Sequence, residues 1–245
     1  MAITDLQKSR IDAIVDKMTG QGMFETMTRY RTAYDMDVAM ALVEAIGRQR
    51  NPRFVIDDEN RFTYENFIRW CHGDETMQCL DPETLEPVQG RLKKGIYIAG
   101  NTGTGKSWCL EIMQMYCKTA NLRICFRSKG IMPLSWAGVR VEEICGHYAA
   151  SGKAGTYAGR DILAIQDLGS EMQETVYMGN RADVIRQLIE QRGDRQDVLT
   201  LITSNLRLGG DKLLDRYGDR VASRLHEMCN YFEIKGKDRR KIKTK

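Results

Sequence analysis

Proline is scarce in this chain, four residues in 245, and no stretch is repetitive or of low complexity. Those absences are the profile of a folded protein rather than a disordered one, and no internal repeat is visible. No run approaches the ~20 apolar residues that a membrane helix needs. The opening Met-Ala-Ile-Thr-Asp-Leu-Gln-Lys also lacks the apolar centre of a secretory signal. There are seven cysteines, scattered without a framework spacing, and their odd number argues against a fully paired disulfide scaffold. The expectation is a cytoplasmic protein that does not enter a membrane. With 42% hydrophobic and 29% charged residues, the chain can bury a sizeable core.

A formal charge of +4 is too mild to assign a polyanionic partner by itself. Its distribution is more informative: Lys235 to Lys245 carries seven Lys or Arg against one Asp. Such a tail grips phosphates or merely keeps the protein solvated.

Along the chain, residues 1–88 differ from the rest. Ile11, Ile14, Val15 and Met18 recur at helical spacing, Met36 to Ile46 is a second helical stretch, and Tyr64 to Cys71 a third. Phe54 to Ile56 suggests a short strand, and the polar, turn-rich segment Gly73 to Gly90 a linker. From Gly95 onward, short apolar runs alternate with helical stretches, as in a parallel sheet covered by helices. Strands are expected at Ile96–Ala99, Arg123–Phe126, Ile162–Ile165, Val198–Thr203 and Tyr231–Ile234. Helices are expected at about 107–119, 139–150, 182–191 and 211–225. The fold class is therefore α/β, a three-layer sandwich on a five-stranded parallel sheet over residues 89–245, preceded by a small helical domain over 1–88.

The strongest chemical signal is Gly100-Asn101-Thr102-Gly103-Thr104-Gly105-Lys106-Ser107, which matches G-x-x-x-x-G-K-[ST] between an expected strand and an expected helix. Its glycines let backbone N–H groups converge on phosphate oxygens, and the helix N-terminus adds its dipole. Lys106 is placed for the β- and γ-phosphates and Ser107 for Mg²⁺, so ATP and Mg²⁺ are the expected cofactors. A carboxylate should follow a neighbouring strand, and Asp167, after Ile162–Gln166 and before Glu171, supplies one. Leu199 to Asn205 is an apolar strand ending in three hydrogen-bonding side chains. Asn205 there is a candidate γ-phosphate sensor, with a turn cap as the other reading of Ser204 or Asn205. Arg220 and Arg224 lie four apart on a helix, where they serve phosphate recognition or ordinary surface ion pairs.

These four elements in this order resemble AAA+ ATPases, and in detail the DnaC-type helicase loaders and IstB-type transposition ATPases. The resemblance rests on residues 100–107, on Asp167-Leu-Gly169 with Glu171, on Thr203-Ser-Asn-Leu206, on Tyr217 to Leu225 and on Gly236 to Arg240, within residues 95–240. It implies sensor 1 at or beside Asn205, an arginine finger at Arg220 reaching a neighbouring subunit's ATP, and a same-chain sensor 2 at Arg224. It further implies an ATP-dependent homo-oligomer, contact with single-stranded DNA, and an N-terminal domain, here 1–88, that holds a replicative helicase or a recombinase. The sequence departs from the family at Gln166, where a first acid usually stands, so slow hydrolysis is expected. Three other readings remain at this point: a mobile-element ATPase, a nucleotide-dependent scaffold and, from another class, a small-molecule P-loop kinase.

Two weaker features complete the reading. Cys71, His72 and Cys79 invite a zinc site, against the alternative of core packing. Basic residues and aromatics interleave from Phe126 to Ala158, with Trp136, Tyr148 and Tyr157 as stacking platforms for a single strand or, equally, as core.

Overall fold

The computed structural model describes residues 5–20, 26–172, 174–178 and 180–239. Three strands with unbroken apolar runs form the centre of the main sheet: β4 (Gly95–Ala99), β8 (Ile162–Leu168) and β11 (Leu199–Ser204). Strands of that composition belong inside a parallel sheet covered on both faces. Flanking them are β7 (Ala137–Arg140) beside β8, and β12 (Cys229–Glu233) beside β4. All four pairings are parallel, giving five parallel strands in the order β12-β4-β11-β8-β7. Two short antiparallel strands, β2 (Gln78–Leu80) and β3 (Pro87–Gln89), extend the sheet beyond β12.

Side-chain alternation along the strands builds a core on each face. Ile96, Ile98, Ala164 and Leu201 pack with α4 (Lys106–Thr119), α2 (Met36–Arg50) and α3 (Arg61–Cys71). Tyr97, Leu163, Ile165 and Ile202 pack with α5 (Val141–Ser151), α6 (Val184–Gly193) and α7 (Asp211–Met228). The result is the expected three-layer sandwich. A 3₁₀ turn at Ala154–Tyr157 precedes β8. A hairpin of β9 (Thr175–Tyr177) and β10 (Asn180–Ala182) lies between β8 and α6. α1 (Asp5–Gly20) leads the chain, with Ile11, Ile14 and Val15 exposed at 48, 59 and 45%. Among the described residues, no helix is long and apolar enough to cross a membrane.

Several expectations need correction. Arg123–Phe126 is a strand, β5, but belongs to a separate antiparallel sheet with β1 (Met27–Arg29) and β6 (Gly130–Pro133). The fifth parallel strand is β7 instead, from residues read partly as helix. An edge strand has one neighbour, and Ala-Gly-Val-Arg buries only Val139, so it carries little of the apolar signal that marks a central strand. Phe54–Ile56 forms no strand. Gly73 to Gly90, read as a linker, holds β2 and β3, and residue 88 falls inside β3. Val43 of α2 and Phe67 and Trp70 of α3 share one hydrophobic cluster with Cys109, Met113 and Tyr116 of α4.

Candidate functional site

The Gly100–Gly105 loop leaves the C-terminal end of β4 and enters α4. Gly105 caps the helix at φ 100°, a left-handed conformation that a side chain would strain. Thr104 ties the loop by donating its hydroxyl to the Asn101 carbonyl at 3.0 Å, while Thr102 stays exposed. The buried Lys106 ammonium donates to the carbonyls of Gly100 and Asn101, each at 2.8 Å, and to Asn205 Oδ1 at 2.7 Å. Asn205, the expected sensor, thus reaches the loop from the end of β11. Ser204 does the turn-capping: its hydroxyl donates to the Leu168 carbonyl at 2.7 Å and accepts from Leu206 N–H at 2.9 Å.

Asp167 is delivered by a bulge. Ile202 of β11 pairs with Ile165, yet Ser204 pairs with Leu168, so Gln166 and Asp167 together oppose the single residue Thr203. Such an insertion re-aims a side chain beside a functional site. Asp167 takes a φ of 62°, and its N–H donates to the Thr203 hydroxyl at 3.1 Å. Its carboxylate accepts from the Ser107 hydroxyl at 3.5 Å. These two oxygen donors suit Mg²⁺, a hard cation that prefers oxygen ligands. Gln166 is buried with its amide above Gly138 of β7. Sequence reasoning missed the Thr203 hydroxyl as the bulge anchor, because register is invisible in one strand alone.

Glu171 is not a free acid. Its carboxylate accepts from Gly169 N–H at 3.0 Å and from the Tyr217 hydroxyl, and pairs with Arg216 at 3.3 Å. Burial and this carboxylate together push the Tyr217 phenol far above its ordinary value. The loop after Asp167 is thereby fastened to α7, one residue before that helix breaks at Gly218 (φ 77°, ψ 169°).

Beyond the break, Arg220 is 64% exposed and makes a 3.5 Å ion pair with Glu190 of α6. Arg224 pairs with Asp194, just past the end of α6, and with Glu227 at 3.2 Å. Asp194 lies on the side where β11 begins, whereas the phosphate loop lies where β4 and β11 end. Six strand residues separate those sides by roughly 16–20 Å. The structure therefore does not bring Arg224 to its own chain's loop, as a same-chain sensor 2 would require.

A contact that sequence reasoning did not foresee comes from the far end of the chain. Arg239 N–H donates to the Gly103 carbonyl at 3.0 Å, and a Cβ on Gly103 would collide with the Asp238 carboxylate. The Arg239 guanidinium bridges Asp57 at 2.8 Å and Glu59 at 3.3 Å. Residues 240–245, the rest of the basic tail, lie outside the described residues.

The remaining candidates resolve as core. Trp136 and Tyr148 are buried in the two hydrophobic clusters, so the Phe126–Ala158 stretch offers neither ring for stacking. Cys71 Sγ lies 3.3 Å from Cys117 Sγ, and His72 Nε2 shares a 2.6 Å hydrogen bond with the Tyr116 hydroxyl. Among the described residues no group of three or more His, Cys, Asp or Glu side chains is arranged to hold a metal. Arg192 escaped notice entirely. Fully buried, it donates to the carbonyls of Leu199, Tyr157, Ala158 and Arg160 and to the Thr200 hydroxyl, and burial lowers its pKa to about 10.

No protein-family model and no curated protein matches the chain. Solved structures do. A protein of Streptococcus pyogenes serotype M3, provisionally assigned as a primosome component, is 16% identical over 76% of this chain and 85% of its own, at a TM-score of 0.50. The DnaC helicase loader is 16% identical over 75% of this chain and 94% of its own, at 0.48. The replication initiator DnaA bound to AMPPCP and single-stranded DNA is 19% identical over 76% and 49%, at 0.46.

Proposed function

We propose that this chain, whose fold is that of the AAA+ P-loop ATPases, binds and hydrolyses ATP and acts in DNA replication, loading or remodelling a replicative helicase on single-stranded DNA. The observation that carries the reading is the convergence of Lys106, Ser107, Asp167 and Asn205, from three strand ends, on one phosphate loop. Lys106 holds the β- and γ-phosphates, Asn205 positions the γ-phosphate end, and Asp167 with Ser107 holds Mg²⁺. When bound, Mg²⁺ neutralises charge between the β- and γ-phosphates. Thr203 fixes the backbone that aims Asp167.

Completion of the site falls to a second subunit. Arg220 stands exposed beyond the Gly218 break, held by a surface ion pair, and is placed to reach a neighbour's nucleotide as an arginine finger. The exposed apolar stripe of α1 fits the partner-binding role of residues 1–88, since exposed apolar faces mark protein contacts. A nucleotide-dependent scaffold with little hydrolysis is the second reading, favoured by the neutral, buried Gln166, a poorer partner for Mg²⁺ or its bound waters than the acid that usually stands there.

Steady-state turnover separates the two. Asp167→Asn should abolish turnover while ATP binding persists, and Arg220→Ala should abolish the rise of turnover with protein concentration. Full turnover in Asp167→Asn would remove the Mg²⁺ assignment, and a concentration-independent rate in the parent would remove the role in trans.

A further inference from the structure

A cavity of about 640 Å³ lies in the N-terminal third of the chain, lined by Arg31, Thr32, Tyr34, Arg69, Asp74 and Thr76, among others. We propose that it receives one unit of a single-stranded nucleic acid, with a base against Tyr34 and the phosphodiester between the Arg31 and Arg69 guanidiniums. The proposal rests on the reading of the chain as a replication ATPase that handles single strands. It moves the strand contact away from the Phe126–Ala158 stretch, where Trp136 and Tyr148 are committed to the core and Tyr157 is half-buried.

Rigid walls and unequal charge give the cavity its chemistry. Tyr34 is half-buried and held from two directions: its ring stacks on His72 at 4.2 Å and 22°, and its hydroxyl donates to Asp74 Oδ2 at 2.8 Å. The other Asp74 oxygen accepts from Thr76 N–H at 2.9 Å and the Thr76 hydroxyl at 2.8 Å. Thr32 N–H donates to the His72 carbonyl at 2.9 Å, which fixes the segment that carries Arg31 and Tyr34. An aromatic ring immobilised in this way stacks a base without first paying for its own ordering.

The Arg69 guanidinium donates to Asn66 Oδ1 at 3.2 Å, and Arg31 is exposed with no hydrogen bond or ion pair among the described residues. Two guanidiniums against one carboxylate leave the rim at a net charge of +1 (2 − 1), which matches one phosphodiester. Paired arginine charge beside an aromatic platform is what grips single strands without sequence preference. An acidic polypeptide fits less well: it brings no flat face for Tyr34, and its closely spaced carboxylates meet Asp74. A nucleobase instead offers N–H donors, thymine N3–H among them, that a carboxylate accepts.

Fluorescence anisotropy with a labelled oligo-dT, read across a salt series, tests the site in the full chain. Arg31→Ala should weaken binding several-fold and flatten the log–log salt dependence by about 0.7 for the lost phosphate contact, and Arg31→Lys should restore the slope. Tyr34→Ala should weaken binding about 5- to 100-fold, whereas Tyr34→Phe, which keeps the ring, should stay near the parent. Because Arg31 is exposed and unbonded, its variants read the site without risk to the fold. Parent-like binding and slope in Arg31→Ala would overturn the proposal. So would a parent that does not bind the oligonucleotide, or displacement by poly-glutamate as effective as by unlabelled strand. ATP binding by the parent, measured separately, tells failure of this cavity from failure of the ATPase reading.

Discussion

Replacing Asn205 probes whether the phosphate loop is linked to the end of β11 by chemistry or only by proximity. Its Oδ1 accepts a charge-assisted hydrogen bond from Lys106 at 2.7 Å. Bonds of that kind contribute about 1.5–3 kcal/mol, and the exposure of Asn205 places it near the lower end. Asn205→Ala should therefore reduce turnover about tenfold or more. ATP affinity should change by less than about threefold, because Lys106 keeps the Gly100 and Asn101 carbonyls as partners and the loop stays formed. Asn205→Asp asks the opposite question. At an effective dielectric of about 20, unit charges 2.7 Å apart attract by roughly 6 kcal/mol, and solvent at this exposed position reduces that to about 1–2 kcal/mol. Lys106 would have to leave that carboxylate to meet a phosphate, so ATP binding should weaken by about 5- to 30-fold. A coupled turnover assay and titration with a fluorescent ATP analogue report the two quantities separately. If Asn205→Ala keeps turnover within about twofold of the parent, Asn205 is not a sensor and its contact with Lys106 is incidental.

Two further predictions concern groups outside the phosphate loop. Arg192→Met keeps the side-chain volume but strands four backbone carbonyls and the Thr200 hydroxyl, and should cost about 3–5 kcal/mol of stability, read as a lower urea midpoint; a loss below ~1 kcal/mol would show those acceptors to be satisfied otherwise. Burial lowers the pKa of His72, opposed more weakly by the Thr32 hydrogen bond and Asp74, while Tyr116 and Tyr34 face its ring. The unfolded state then binds the extra proton, so this contribution is complete above the unfolded value of about 6.5 and is lost as pH falls below it toward the folded pKa. Thermal melts between pH 7.5 and 5.5 should show a shallower acid decline in His72→Gln, and an unchanged decline would assign it to other groups.

What the sequence made legible is what is local in the chain. The phosphate loop joins a strand and a helix that are adjacent in sequence, so eight residues carried its position and conformation. The apolar runs of β4, β8 and β11 were equally plain because each is buried on both faces. Features settled by distant partners were not. β5 has the better strand composition, but pairing with β1, some 97 positions earlier (Cys125 with Thr28), removes it from the main sheet and leaves the edge to β7. Pro87-Val-Gln89 reads as a turn because all three residues are exposed, and only pairing with β2 makes it a strand. Arg224 matched its motif, yet α7 runs alongside α6 toward the opposite end of the sheet, a direction no motif encodes. The Asp167 bulge and the Glu171–Tyr217 link are likewise properties of register and packing.

The clasp of Arg239 across Gly103, Asp57 and Glu59 sets a schedule as well as a shape. Asp57 and Arg239 are 182 positions apart. At about 5–20 residues per second, a ribosome takes roughly 9–36 s to deliver the second after the first. For the last 133 of those positions, roughly 7–27 s, the loop's glycines and Lys106 are already synthesised, but the segment that closes over Gly103 is not. A nascent chain therefore completes the geometry of this loop only once Arg239 has been delivered.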